Sequence, residues 1–284
     1  MTLSVLQPLK GGNRAALLQL VNGDFISGDD VINPYLSLRD QTLIDAGYTL
    51  IRVTPGGTPK HSIPEILSDC QRAVRFVRYH AKRFAIDPER LAITGTSSGG
   101  YLSLMVGVAD TAPPFPSEAD PTWPAKQGDP VEAVSSRVQA VIGYCGPTDW
   151  LNYGKPGKAV LDHELPVFQS HLGIFDLYEF DATRFGFNRI TDRTRQLQEL
   201  KKLSPIERAT RTAAPTLIFH GDKDVSVPIE QSERMVAALR AVGASADLVT
   251  KPGEGHGWTD TADDVAKVVA WLDRHLRIKP APGK

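Results

Sequence analysis

The chain has 284 residues, 41% of them apolar and 23% charged, enough to bury one sizeable hydrophobic core or two small ones. Lys and Arg total 32 against 33 Asp and Glu, and a formal charge of -1 supplies no broad positive field for a phosphate backbone, which argues against nucleic acid as a partner. No run approaches the roughly 18 apolar residues of a membrane span, and the opening stretch carries Gln7, Pro8, Lys10, Asn13 and Arg14 where an export signal needs an apolar centre.

Short β-rich apolar runs alternate with longer amphipathic stretches, the pattern of an α/β fold with a mostly parallel sheet and helices on both faces. Residues 15–21, AALLQLV, are the first legible strand and stop at Asn22-Gly23-Asp24. A helix is predicted over 37–46, with Leu38, Thr42, Leu43 and Ala46 on one face. A strand over 48–53 is closed by Pro55-Gly56-Gly57-Thr58-Pro59. The next helix, 64–83, opens on Pro64 and repeats Ile66, Cys70, Ala73, Val74, Val77 and Ala81 at helical spacing. A third strand at 90–94 runs straight into GTSSGG and an apolar helix, YLSLMVGVA. Residues 111–136 read as a surface excursion, and 138–144 as a fourth strand.

From 149 to 214 the periodicity weakens and aromatic residues accumulate: Trp150, Tyr153, Phe168, Phe175, Tyr178, Phe180, Phe185 and Phe187. This reads as a cap or lid of about residues 150–210 inserted into a single α/β domain, its aromatic residues forming cap core rather than a sugar-stacking platform. A strand at 216–220, a helix at 229–242, a strand at 246–251 and a helix at 262–276 complete the pattern. The tail KPAPGK is expected to be disordered.

Chemistry concentrates in Gly95-Thr96-Ser97-Ser98-Gly99. Glycines flank a serine on a strand-to-helix turn too tight for larger neighbours, and the helix that starts there offers amide groups where an oxyanion would form. Alone, the G-x-S-x-G string is weak, since a Gly/Ser loop after a strand could also hold a phosphate. A serine nucleophile needs an imidazole base, and that base needs a carboxylate to fix its tautomer. Both follow in loops after later strands: HGDKDVSVP, which offers Asp222 and Asp224, and GEGHGW, which offers His256. The order Ser, Asp, His is the one a nucleophile-elbow fold uses, and all three loops leave the carboxyl edge of the sheet.

With GTSSGG, HGDKDVSVP and GEGHGW in place, supported by IDPERLAITG, the sequence from about 15 to 276 resembles the α/β-hydrolase superfamily. The resemblance is to its esterase/lipase and prolyl-oligopeptidase-like branch, which includes hormone-sensitive-lipase-type carboxylesterases and acetyl or feruloyl esterases. It implies Ser97 as nucleophile, His256 as base and acid, and Asp224 rather than Asp222 as the orienting carboxylate. It also implies hydrolysis of small to medium esters, such as those of an acetylated or feruloylated sugar, with no metal or organic cofactor. The chain departs from the family at the oxyanion loop, where an HGG-type sequence is replaced by Val21-Asn22-Gly23-Asp24-Phe25. The donors are then expected from the amides of Gly23, Asp24 and Ser98, with the Asp24 carboxylate opposing the developing charge unless it turns away. It departs again at the amino end, where most of the leading hairpin is expected to be absent.

Cys70 and Cys145 are too few for a disulfide framework and read as buried thiols, and the histidines other than His256 (His61, His80, His163, His171, His220 and His275) have no metal-ligand spacing. His220 reads as structural, and Lys201, Lys202, Arg208 and Arg211 as a solvated basic surface. The expected partner is a small-molecule ester, with neither nucleic acid nor membrane engaged and a homo-oligomer left open. The expected location is the cytoplasm, or outside the cell if the chain is a shortened form of a longer one. Two other readings stand beside the esterase: an amide hydrolase of the same scaffold, such as an arylformamidase or acyl-peptidase, and a non-catalytic binding homologue.

Overall fold

The computed structural model describes residues 1–26, 37–108, 129–163 and 177–277. A seven-stranded sheet is assembled from β1 (Thr2–Leu6), β2 (Ala16–Leu20), β3 (Thr49–Thr54), β4 (Leu91–Thr96), β5 (Ala140–Tyr144), β8 (Thr216–Gly221) and β9 (Ala246–Lys251), in the order β1-β3-β2-β4-β5-β8-β9. β1 runs antiparallel to β3, with Val5 opposite Ile51, and every other pairing is parallel. β6 (Tyr178–Asp181) and β7 (Gly186–Arg189) form a separate antiparallel hairpin. The architecture is the mostly parallel α/β sheet that the periodicity predicts, as the resemblance to α/β-hydrolases also implies.

Helices cover both faces. α2 (Ile63–Tyr79), α3 (Ser98–Val108) and α5 (Glu230–Ala241) lie on one side, where Ile66, Val74, Leu102, Met105 and Met235 pack on Leu18, Ile51 and Ile93. α1 (Leu38–Asp45) and α6 (Ala262–His275) cover the other, burying Leu43, Val268, Trp271 and Leu272 on Leu17, Leu50 and Ile142. The remaining helix, α4 (Arg193–Leu203), buries Leu200 and Leu203 in the first of these cores. Local sequence starts these helices. Ser37 with Asp40, Ser62 with Glu65 and Thr261 with Asp264 are capping boxes that satisfy the first amides of α1, α2 and α6. All eleven residues of α3 are buried, as an apolar helix without a polar face must be.

Several boundaries differ from the sequence reading. β1 precedes the first expected strand; TLSVL is a short, half-exposed edge strand, and so carries no strong periodicity. On α1 it is Asp40 and Leu43 that turn inward while Leu38 and Ala46 are exposed, because the helix packs over a polar strip that holds the Arg52–Asp40 ion pair. α2 stops at Tyr79 and the chain continues in turns, although Ala81 is buried as expected. Phe168, Phe175, His171, most of the 111–136 excursion and the tail lie outside the described residues, as do the rings of Phe180 and Phe187. No helix among the described residues is long and apolar enough to cross a membrane.

The chain steps from β2 outward to β3 and then returns to place β4 on the other side of β2. The loops after β2 and β4 thus diverge at the carboxyl edge, the switch point where open α/β sheets form their crevice.

Candidate active site

β4 ends in the turn that carries Ser97. Its φ is 55°, a left-handed conformation unusual for a residue with a side chain, and its amide donates to the Tyr144 carbonyl at 2.8 Å. The turn closes only because Gly95 has no Cβ, which would stand 2.4 Å from the carbonyl carbon and oxygen of Gly99. Ser97 is thereby lifted to the edge of the sheet at the start of α3.

The structure brings Ser97, His256 and Asp224 together from three loops. His256 Nε2 lies 2.9 Å from Ser97 Oγ, and His256 Nδ1 lies 2.7 Å from Asp224 Oδ2. Asp224 is itself held: Oδ1 accepts from the amides of Ser226 and Val227, each at 2.9 Å, and Oδ2 is 3.2 Å from His220 Nε2. Burial alone would raise the Asp224 pKa, but the hydrogen bonds from His220, His256 and the Val227 amide win and hold it below the usual carboxylate range. Burial likewise works to lower the His256 pKa. The bond to Asp224 and the neighbouring Cys145 sulfur outweigh it, raising the imidazole to about 10. Asp222 is not part of this chain; it is exposed and accepts from the Gly253 amide at 2.7 Å, bracing the His256 loop from outside.

Two residues beside these were not recognised from the sequence as part of the site. His220 is fully buried, with Nδ1 2.6 Å from Ser232 Oγ and Nε2 2.8 Å from the Val227 carbonyl, so it connects the acid loop to α5 as well as touching the acid. The repeated HG at the head of HGDKD was the available signal, but nothing in one sequence shows that the ring turns toward Asp224. Cys145 is a buried thiol at the end of β5, as expected, and its sulfur donates to the His256 carbonyl at 3.3 Å. One donor atom each from Cys145, Asp224 and His256 lie within 4.8 Å of one another.

The loop after β2 supplies the remaining expected residues. Asn22 is buried and its carbonyl accepts from Ser98 Oγ at 3.0 Å, joining the loop to the start of α3. Asp24 is exposed with φ 51°, and Phe25 is buried with φ 59°. The Gly23 amide, one of the three expected donors, is instead spent on the Ile26 carbonyl at 3.2 Å, because residues 23–26 close on themselves as a tight bridge. Of the expected set this leaves the amides of Ser98, at the first turn of α3 next to Ser97, and of Asp24 as candidates.

The other face of His256 borders a cavity of about 310 Å³ lined by Arg39, Tyr144, Trp258 and Asp260 among others. Arg39 lies over the Tyr144 ring at 4.7 Å and 3.5 Å from Asp260, whose pKa burial raises. Of the aromatic residues after β5, Trp150 and Tyr153 are buried and stacked 6.0 Å apart, with Trp150 packed on Tyr101 of α3 and on Phe25. They belong to the core of the main body. Phe185 at the tip of the β6–β7 hairpin is exposed.

Comparison with known proteins identifies the family. The BD-FAE family model matches residues 5–239. The chain is 28% identical over 243 residues to the esterase LipC of Mycobacterium tuberculosis, a match covering 85% of this chain and 52% of LipC. It spans about half the length of the curated relatives it matches. Among solved structures it is similar to a truncated carbohydrate esterase from gut microbiota, with a TM-score of 0.73 at 23% identity, covering 97% of this chain and 90% of that one. It is also similar to the propionate-bound esterase of the Planctomycetes species Thermogutta terrifontis, with a TM-score of 0.67 at 19% identity, covering 99% and 91%.

Proposed function

The chain belongs to the BD-FAE family, and from that premise we propose that it is a serine carboxylic-ester hydrolase working through an acyl-enzyme. The observation that carries this reading is the unbroken hydrogen-bonded line from Ser97 Oγ through His256 to Asp224 at the switch point of the sheet. Ser97 Oγ attacks the ester carbonyl while His256 Nε2 accepts its proton. Asp224 holds the Nδ1–H tautomer and stabilises the imidazolium. The amides of Ser98 and Asp24 receive the oxyanion, and the Gly23 amide, bonded to Ile26, shapes the loop instead. His256 then returns the proton to the leaving alcohol, and a water activated by the same imidazole releases the acid. These groups handle every proton and charge of the cycle, so the reaction calls for no metal or organic cofactor.

Small to medium acyl esters fit best. The similar Thermogutta enzyme holds propionate, and the carbohydrate esterase likeness supports an acylated sugar as the alcohol side. We take residues 150–210 as a cap over one α/β domain, anchored by Trp150 and Tyr153 and presenting the hairpin with exposed Phe185.

Hydrolysis of p-nitrophenyl acetate and butyrate by the purified chain tests the assignment, with Ser97→Ala run in parallel. Turnover should fall by at least about 10⁴-fold in the variant, and a fluorophosphonate should label the parent chain at Ser97 only. Equal turnover in the two proteins would remove Ser97 from the reaction; failure to label would favour the non-catalytic homologue.

A further inference from the structure

Of the two buried thiols that the mechanism above leaves unused, one stands against the catalytic pair. Cys145 is buried at the end of β5 with φ 41°, its amide fixed to the Phe219 carbonyl at 2.9 Å. The strand end therefore presents the sulfur at a set place beside the His256 loop. Since Nε2 faces Ser97, the ring nitrogen beside Asp224 is Nδ1, and sulfur, carboxylate oxygen and imidazole nitrogen converge within 4.8 Å. Thiolate, imidazole and carboxylate together are a donor set suited to a borderline-soft divalent cation rather than to Mg²⁺ or Ca²⁺.

We infer that Cys145, His256 Nδ1 and Asp224 form an inhibitory site for zinc-like cations, which switches the enzyme off by occupying the place of the Nδ1 proton. The inference rests on the assignment of His256 and Asp224 as catalytic base and acid. Tetrahedral zinc holds such donors about 3.3–3.7 Å apart. The Nδ1 to Oδ2 gap of 2.7 Å must therefore open by about 0.6 Å, and the thiol must close in. His256 sits between Gly255 and Gly257, and its side chain is 31% exposed, which gives the loop room to shift and the ion a way in. The charges also balance: the thiolate and the carboxylate cancel the two charges of the ion, so no net charge is buried.

Protons account for the inhibition. Binding releases the thiol proton to solvent. The charged imidazole gives up one proton as well, and the neutral ring that remains, with its Nδ1 lone pair given to the ion, carries its one proton on Nε2. An Nε2–H can donate to Ser97 Oγ and cannot accept a proton from it, so the base is lost while the serine and the oxyanion donors remain in place. A fourth coordination position is open to water.

The test uses the intact chain stripped of metal with a chelator. Zn²⁺ is titrated against p-nitrophenyl acetate hydrolysis, and Co²⁺ binding is followed separately by its sulfur-to-metal charge-transfer absorption. One equivalent of Zn²⁺ should abolish turnover, a chelator should restore it, and Mg²⁺ should do nothing. Cys145→Ser keeps the size and the hydrogen bond to the His256 carbonyl but replaces the soft donor. It should need at least about 10-fold more Zn²⁺ for half inhibition, and should lose the Co²⁺ sulfur band. Ser97→Ala should keep that band, since Ser97 is not a ligand. Equal zinc sensitivity in the parent and Cys145→Ser, or no sulfur band in the parent, would overturn the site. A chain that shows the band yet hydrolyses no ester would instead overturn the catalytic assignment and leave the metal site standing.

Discussion

Two loops leave the sheet at β2 and β4 and meet at Ser98, and they are held by opposite means. The β4 loop is fixed by backbone fit: Gly95 lies against Gly99, a Cβ on Gly99 would stand 2.9 Å from the Leu20 carbonyl, and α3 behind it is buried on every side. The β2 loop is fixed at a few points. Phe25 packs edge-on against Tyr101 at 5.4 Å, its carbonyl accepts from the Thr58 amide at 2.8 Å, and the Asn22 carbonyl takes Ser98 Oγ, while Asp24 between them is exposed. The proposed nucleophile is thus built into the core, whereas one proposed oxyanion donor rides on a short strained segment. Side-chain changes in the β4 loop should destroy the site, and those in the β2 loop should only tune it.

The sharpest way to break this contrast is Gly95→Ala. The added methyl would overlap the Gly99 peptide unless the turn opened, at a cost of about 3 kcal/mol or more. A thermal melt should fall by roughly 5–10 °C. Displacing Ser97 by even 1 Å from His256 should reduce kcat by about 100-fold. A variant with parental melting temperature and turnover would show that the elbow is not sterically limited and that the two loops do not differ in kind.

That same contrast governs what could be read in advance. Elements whose physics is local and periodic were legible: the α2 stripe from Ile66 to Val77, the apolar run of α3, and the glycines that only a tight strand-to-helix turn requires. The proposed triad was legible as a set of candidates too, because order and loop position constrain it, although the choice of Asp224 over Asp222 came from resemblance. The structure supplies a physical reason for that choice: Asp224 points inward onto the Ser226 and Val227 amides, whereas Asp222 faces the Gly253 amide outside. Contacts that depend on how distant loops face one another were not legible. His220 and Cys145 lie 36 and 111 residues from His256, and no spacing rule connects them to it. The Gly23 amide fails as a donor for a similar reason, since its engagement with Ile26 depends on a bridge that closes only after Asp24 and Phe25 take left-handed conformations.

A second, smaller effect separates the loops by pH. The reaction needs His256 neutral, and its surroundings favour the charged form, so kcat/KM should rise with pH along a limb centred above the ordinary imidazole value of about 6.5. Stability has the opposite sign. A raised His256 pKa contributes stability fully below about 6.5 that is lost as pH climbs toward 10, and the depressed Asp224 pKa contributes stability above the ordinary carboxylate range that is lost in acid. The activity optimum should therefore lie alkaline of the pH of highest melting temperature. Profiles of kcat/KM and of melting temperature from pH about 4 to 10 check this, and coincident optima would contradict it. Changes in the β2 loop should alter the height of the kinetic limb without moving its midpoint, because the groups that shift the His256 pKa, Asp224 and Cys145, lie in other loops.

Asp24→Gly is the mildest probe and the one that isolates the β2 loop. At φ 51° glycine is at no steric disadvantage, so the backbone that presents the Asp24 amide can persist after the side chain is removed. What changes is charge. If the carboxylate stands about 4 Å from the oxyanion it opposes it by about 1 kcal/mol in a water-like dielectric, equivalent to a rate increase of about fivefold on removal. We therefore expect kcat to rise by about two- to fivefold with an unchanged acid limb, and less so at high salt, where screening already weakens the repulsion. A fall in kcat would mean that the Asp24 side chain holds the loop in place or contacts the substrate, and the β2 loop would then belong with the β4 loop as a rigid part of the site.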